Sequence, residues 1–308
     1  MDINKKIKNI DSGSIEEYLD INILKENKKK QIKLAFKRFF KNKLAVTGGI
    51  IVIIILVIAI FHSFLSPYDP YSMNSKEALV SISRAHPMGT DNLGRDYMSR
   101  VFYGAKLSMQ VGLISSLIAT FFGFMIGAIA GYYGGWIDNL IMRIMDVVIT
   151  FPSLLLAIVF VSILGPSIRN AMIAIGVIYT PLTARVIRSA VMANKENEYI
   201  DAARAIGKPN LKILFFEVVP NCMSPLIVQA SVTFADAILI EAGLSFLGLS
   251  VQPPMASWGK MLQASMQYMG TNPNLAIFPG IAISLSVLGY NLLGDGLRDV
   301  IDPRLRRG

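Results

Sequence analysis

Between Leu44 and Leu65 the chain carries no Asp, Glu, Lys or Arg, and Ile50 to Ile60 is almost pure branched aliphatic. A run of about 20 apolar residues as helix crosses the roughly 30 Å of hydrocarbon in a bilayer. Five further runs reach that length: Leu107–Gly131, Leu140–Leu164, Ile168–Met192, Leu226–Leu249 and Leu275–Leu297. The third and fifth are weaker because each contains charge. Charged residues make up only 17% of the chain, against about 25% in a soluble domain. Backbone polar groups inside hydrocarbon must be satisfied within their own segment, which restricts spanning runs of this kind to helices. The sequence therefore predicts an all-α membrane protein with six transmembrane helices. The first run follows a polar segment of about forty residues and is too long for a signal-peptide core of about 7–15 residues, so an uncleaved anchor is expected.

Basic residues set the expected orientation. Lys37, Arg38, Lys41 and Lys43 abut the first span. Arg185, Arg188, Lys195, Arg204, Lys208 and Lys212 surround the loop after the fourth, and Arg298, Arg304, Arg306 and Arg307 follow the sixth. Six spans bring all three groups to one side, which predicts cytoplasmic N- and C-termini and leaves the segment after the first span outside. This placement accounts for most of the net charge of +9 without any nucleic-acid partner. Cys222, the single cysteine, reads as a small apolar filler.

The expected organisation is a basic cytoplasmic tail over 1–43, a first transmembrane helix over 44–66 and an external segment over 67–106. A core of five helices then spans 107–308. In the tail, Ile32, Phe36, Phe39 and Phe40 among Lys and Arg predict an amphipathic helix on the inner membrane surface.

The core contains a polar island, 194–220. Gly207 and Pro209 punctuate it as helix, turn, helix. Tyr199, Ala202, Ala203 and Ile206 fall at helical spacing before the turn, and Leu211, Leu214, Phe215 and Val218 repeat it afterwards. Two short amphipathic helices with a small alanine-faced surface, tied to membrane helices on both sides, form a docking knob for a soluble partner.

This island resembles the signature loop of ABC-importer permeases: Glu-Ala-Ala, three residues, Gly, nine residues, Ile, one residue, Leu-Pro. Here Asp201-Ala202-Ala203, Gly207 and Pro220 keep the spacing, with Asp201 for Glu, Val219 for Leu, and Glu217 standing where Ile is usual. Within the outer segment, His86-Pro87-x-Gly89-Thr90-Asp91-x-x-Gly94-Arg95-Asp96 is similar to that of the C-type permeases of dipeptide, oligopeptide and nickel importers. Leu244-Ser245-Phe246-Leu247-Gly248-Leu249 with Gln252-Pro253-Pro254 and Ser257-Trp258-Gly259 matches the same subfamily. So does Asn291-Leu292-Leu293-Gly294-Asp295-Gly296-Leu297-Arg298-Asp299 with Asp302-Pro303-Arg304. The resemblance runs from about residue 30 to the end.

It implies a type I ABC-importer bundle in the cell membrane of a prokaryote. The implied partners are a second, related permease, two ATPases and an extracytoplasmic solute-binding protein. Peptides are the first implied substrate, with nickel or a metal chelate as the alternative. The implied coupling residues are Glu198, Tyr199, Asp201, Ala202, Ala203, Ile206, Gly207 and Pro220.

Other residues draw attention on physical grounds. Charge inside a membrane costs about 2.5–3.5 kcal/mol on insertion scales. Arg143 and Asp146, three apart, are expected to pair. Asp236 and Glu241 have no basic residue in their helix and, together with Asp146, Pro152 and Pro181, are candidates for the translocation path, Glu241 nearer the outside as a gate or seal. Pro152 and Pro181 sit inside expected spans and can kink them. Ala119, Gly123, Gly127, Gly131 and Gly135 recur every fourth residue, a close-approach face for packing or for a moving interface.

No Gly-x-x-x-x-Gly-Lys-Ser/Thr loop, His-Glu-x-x-His site, Gly-x-Ser-x-Gly elbow or Cys/His cluster occurs. The chain is accordingly expected to be non-catalytic and without cofactor or metal. Two other classes stay open at this stage. One is an intramembrane enzyme, for which Asp146 with Asp236 is the carboxylate pair to check; the other is a non-transporting membrane scaffold.

Overall fold

The computed structural model describes residues 37–301. The expected tail helix begins outside them; its last residues, 37–41, are helical. Ten helices follow. They are α1 (Lys43–Leu65), α2 (Tyr97–Tyr133), α3 (Gly135–Ile149), α4 (Ser153–Leu164), α5 (Ile168–Lys195), α6 (Glu198–Ala205), α7 (Asn210–Ile213), α8 (Val219–Phe246), α9 (Trp258–Ser265) and α10 (Asn274–Ile301). A π-helical turn, Leu214–Val218, joins α7 to α8. Among the described residues the only β feature is an isolated bridge between Thr90 and Asp96.

Five of these segments are long and apolar enough to cross a membrane: α1, α2, α5, the continuous run Asn210–Phe246, and α10. The third expected span, Leu140–Leu164, is not one helix. It is α3 and α4, bent by 91°, and makes a sixth span only if both halves count as one. The sequence explains the break. Pro152 lacks an amide N–H and disfavours helix at Phe151 before it, so α3 ends at Ile149 and Pro152 caps α4 with φ −57° and ψ 126°. Pro152 therefore ends a helix, whereas Pro181 lies buried within the continuous α5. The outer segment is also shorter than expected, because α2 starts at Tyr97. At 1.5 Å per residue its 37 residues reach about 55 Å, well beyond one hydrocarbon thickness.

The glycine row organises the centre. On α2, Gly123 lies against Thr180 and Thr183, Gly127 against the Ala184 backbone, and Gly131 against Arg188 and Val191, all on α5. Ala119 is buried in the same row. The row packs two helices within this chain; Gly135 leaves it, with φ +59° and open space around it. Gly48 of α1 and Gly296 of α10 allow a second close approach, against Leu293 and Ala45. Phe234 of α8 stacks on Tyr290 of α10 at 4.0 Å.

Outward, α1 exposes Ile50, Ile53, Ile54, Val57 and Ile60. Apolar area on this scale is untenable in water and suits lipid. The chain thus has two ends. The N-terminus of α1, the C-termini of α2, α5 and α10, and the start of α8 share one end, where Asn42 Nδ2 donates to Asp299 Oδ2 at 3.0 Å. The segment 66–96 and α9 occupy the far end, fixed where Trp258 Nε1 donates to the Val101 carbonyl at 2.9 Å.

Candidate functional site: a docking knob, a cavity and an outer turn

The island folds as helix, turn, helix. Gly207, at φ +76°, ends α6 in a left-handed conformation. Its N–H donates to the Arg204 carbonyl at 2.9 Å, and that of Lys208 to the Ala203 carbonyl at 3.1 Å, a Schellman closure. Lys208 Nζ pairs with Glu217 Oε1 across the turn, so Glu217, the residue that departs from the signature, clamps the knob.

The knob's apolar face is phased differently from the expected stripes. Ile200 and Ala203 of α6 are buried with Ile213, Leu214 and Val218, while Tyr199 (43% exposed), Ile206 (81%) and Leu211 stay outside. Ala202, Gly207 and Pro220 are exposed as well, and so are Glu198 and Asp201, the latter paired with Arg204 at 3.1 Å. Two causes act. The π-turn shifts the phase of the second half, and the bundle covers only one side of the first. What remains is an exposed patch of Tyr199, Ala202, Ile206 and Leu211 on a base tied to the bundle. Tyr132 Oη donates to Asn210 Oδ1 at 3.1 Å, Asn221 Nδ2 to Tyr199 Oη at 3.1 Å, and Lys195 Nζ to the Gly131 carbonyl at 2.8 Å. Arg188 grips Asp138 through two 2.5 Å contacts.

Beside the knob a cavity of about 730 Å³ opens between α5, α8 and α10, lined among others by Arg185, Ser189, Pro225, Gln229 and Arg298. Asp146 meets it indirectly. Its carboxylate takes Arg185 Nη2 at 2.7 Å, so the expected partner Arg143 is replaced by a cation from another helix. Asp236 is half-buried and accepts no hydrogen bond from a described residue. Glu241 is 1% exposed in packed interior. Its Oε1 accepts from Ser245 Oγ at 2.5 Å and Ser250 Oγ at 3.4 Å, and its Oε2 has no partner among the described residues. It ties the end of α8 to the following loop.

At the far end the His86–Asp96 motif is a self-contained turn. Asp96 caps α2, accepting from Ser99 N at 2.8 Å and Ser99 Oγ at 2.6 Å, and holds His86 Nδ1 at 2.9 Å through its other oxygen. Asp91 Oδ1 accepts from the N–H groups of Leu93 (2.9 Å) and Arg95 (3.0 Å), and Oδ2 takes Arg95 Nε at 2.6 Å. Gly89 and Gly94 have φ of +78° and +71°. A Cβ on Gly94 would stand 1.8 Å from the Asn74 carbonyl oxygen, so Gly94→Ala must displace the turn. We expect the thermal midpoint of the purified chain to fall by several degrees; an unchanged midpoint would show that the segment 74–94 is not part of the cooperative fold.

The fold and both ends can now be set beside known proteins. Residues 123–307 match the family described as binding-protein-dependent transport system inner membrane component, and residues 30–87 match the N-terminal TM domain of oligopeptide transport permease C. The chain belongs to this family of ABC-transporter permease components of the inner membrane. Among its relatives, the dipeptide transport system permease protein DppC of Alkalihalophilus pseudofirmus is 48% identical over 272 residues, covering 88% of this chain and 90% of that one. DppC of Escherichia coli K12 is 44% identical over 280 residues (88% and 93%). The glutathione transport system permease protein GsiD of Pectobacterium atrosepticum is 41% identical over 272 residues (88% and 90%). In solved structures the fold resembles the inward-facing MetNI methionine ABC transporter, with TM-score 0.50 and 20% identity over 63% of this chain and 95% of that one.

Proposed function

We propose that the chain is one of two related permease subunits of an ATP-driven peptide importer, with the knob end in the cytoplasm and the 67–96 segment outside. The carrying observation is the knob: a rigidly based helix pair that presents Tyr199, Ala202, Ile206 and Leu211 away from the bundle. Such a patch needs a groove on a soluble partner. Two ATPases supply that groove and the energy, and an external solute-binding protein delivers substrate at the far end. The permease itself does no chemistry.

Several features support this orientation. The basic groups around Lys43, Lys195 to Lys212 and Arg298 gather at the knob end. The cavity beside Arg185 opens there too, as an inward-open path would. The peptide assignment is supported by the names of the dipeptide and glutathione relatives.

In this reading ATP binding draws the ATPases together and moves α6 and α7. Because Glu217–Lys208 and the buried Ile200, Ala203 and Leu214 make the knob one body with the start of α8, the motion tilts α8 and α5 and carries the cavity from inward-open to outward-open. Asp146, Pro181 and Asp236 are the path residues we propose; Pro152 supplies the bend beside it, and Glu241 seals its outer end.

The test is reconstitution with the proteins encoded beside it. Radiolabelled dipeptide should accumulate in vesicles only with internal ATP, both permeases and the binding protein. ATP-independent accumulation, or none with all components present, would defeat the reading.

A further inference from the structure

At the far end a small cavity of about 100 Å³ lies between the start of α2 and the 253–268 loop and helix. Three cations line it, Arg95, Arg100 and Lys260, against the single carboxylate of Asp91. We propose that this cavity binds one carboxylate carried on a narrow stem and presented from the far side of the bundle.

The charge balance carries the inference. The Asp91 oxygens are already taken by two backbone N–H groups and by Arg95 Nε at 2.6 Å. Arg100 is 5% exposed, and its Nε stands 3.5 Å from Asp91 Oδ2, too long for a good hydrogen bond. One of its terminal amino groups donates to the Pro70 carbonyl at 2.9 Å; the other has no acceptor among the described residues. Lys260 Nζ meets only the neutral Gln263 Oε1, at 2.6 Å. Two positive charges are thus left around a semi-enclosed space, where solvent compensates them poorly.

A planar guanidinium fork with a free edge matches a carboxylate. Size agrees: at roughly 10–15 Å³ for each water, the cavity of about 100 Å³ has room for a carboxylate and a short stem of a few further atoms, and the rest of a longer peptide stays outside. Pro254 and Met261 in the wall suit an apolar stem. Tyr97 Oη gives its proton to the Leu275 carbonyl, so it brings no negative charge to the cavity. The carboxylate has two possible sources, the C-terminus of an arriving peptide or an acidic side chain of the solute-binding protein. Only that choice rests on the importer reading.

Binding itself is tested on the intact complex in nanodiscs by saturation-transfer NMR with N-acetylglycine, and with N-acetylglycinamide as the uncharged twin. We expect transfer to the carboxylate and not to the amide, a several-fold loss in Lys260→Met, and retention in Lys260→Arg. Equal transfer to both compounds in the wild type, or an undiminished signal in Lys260→Met, overturns the proposal. The amide comparison requires no variant, so a folding defect cannot mask the answer.

Transport distinguishes the sources. A rise of about five-fold or more in the binding-protein concentration that half-saturates ATPase stimulation of Lys260→Met assigns the carboxylate to the binding protein. A lower maximal uptake at saturating binding protein assigns it to the peptide. If neither moves, the proposal fails. A wild-type complex without stimulated ATPase would instead sink the importer reading and leave the NMR result standing.

Discussion

Gly127→Leu should remove most folded protein from the membrane. A Cβ at Gly127 would lie 2.3 Å from the Ala184 carbonyl oxygen and 3.0 Å from its Cα. Both are backbone atoms of α5, so no side-chain rotation relieves the clash. The neighbours in the row are equally close: 2.5 Å from Gly123 to Thr183 Cβ and 2.7 Å from Gly131 to the Arg188 carbonyl. Separating α2 from α5 therefore opens the whole seam. Overpacking usually costs about 1–3 kcal/mol, and a helix-to-helix backbone contact belongs at the top of that range or beyond. Against a total stability of about 5–15 kcal/mol, abundance in the membrane should drop several-fold. Gly127→Ala should be intermediate, and Gly135→Ala, which has open space around it but φ +59°, should carry only the cost of about 1–2 kcal/mol for a side chain in the left-handed region. Thermal unfolding in detergent, together with membrane abundance, reads the series. Wild-type abundance and midpoint for Gly127→Leu would mean that the α2–α5 seam is not what holds the bundle.

That seam shows what a sequence can and cannot disclose. The four-residue rhythm of Gly123, Gly127 and Gly131 is visible because helix periodicity is local. That the row faces α5 of the same chain is a tertiary fact. The long apolar runs are legible for the same local reason, since lipid forces each to satisfy its own backbone. The bend at Pro152 is only half legible. Proline marks the place, but the residue type does not say which outcome follows: Pro152 ends a helix while Pro181 sits within one. Ion pairs fare worst. Arg143 was the natural partner for Asp146 at three residues, yet Arg185, 39 residues away, takes it. Nothing local announces Arg188 with Asp138 or Lys208 with Glu217. At the knob, the turn at Gly207 is written in the sequence. The face it exposes is not, because a π-turn at Leu214–Val218 rotates everything after it.

The distinction between exposed and buried alanine yields the sharpest test of the knob. Ala202 is exposed on α6, and Ala203, one residue on, is 8% exposed within the knob's core. In Ala202→Arg the new side chain points to water in the isolated chain, so folding and membrane abundance should match the wild type. In an assembled importer the same guanidinium would be driven into an apolar contact and left unpaired. A change at a hot spot near the centre of a contact costs about 2 kcal/mol or more, and about 1.4 kcal/mol is already tenfold in affinity. The ATPases should therefore be lost from the copurified complex by at least tenfold, and uptake with them. Ala203→Arg should also lose the ATPases, but for a different reason. Its charge must enter the cluster of Ile200, Ile213 and Leu214, so the thermal midpoint should fall as well. The pair separates interface from fold: equal ATPase loss with unequal stability locates the contact at Ala202. ATPases retained at wild-type level by Ala202→Arg would place the docking surface elsewhere, and the exposed patch of Tyr199, Ile206 and Leu211 would then need another partner.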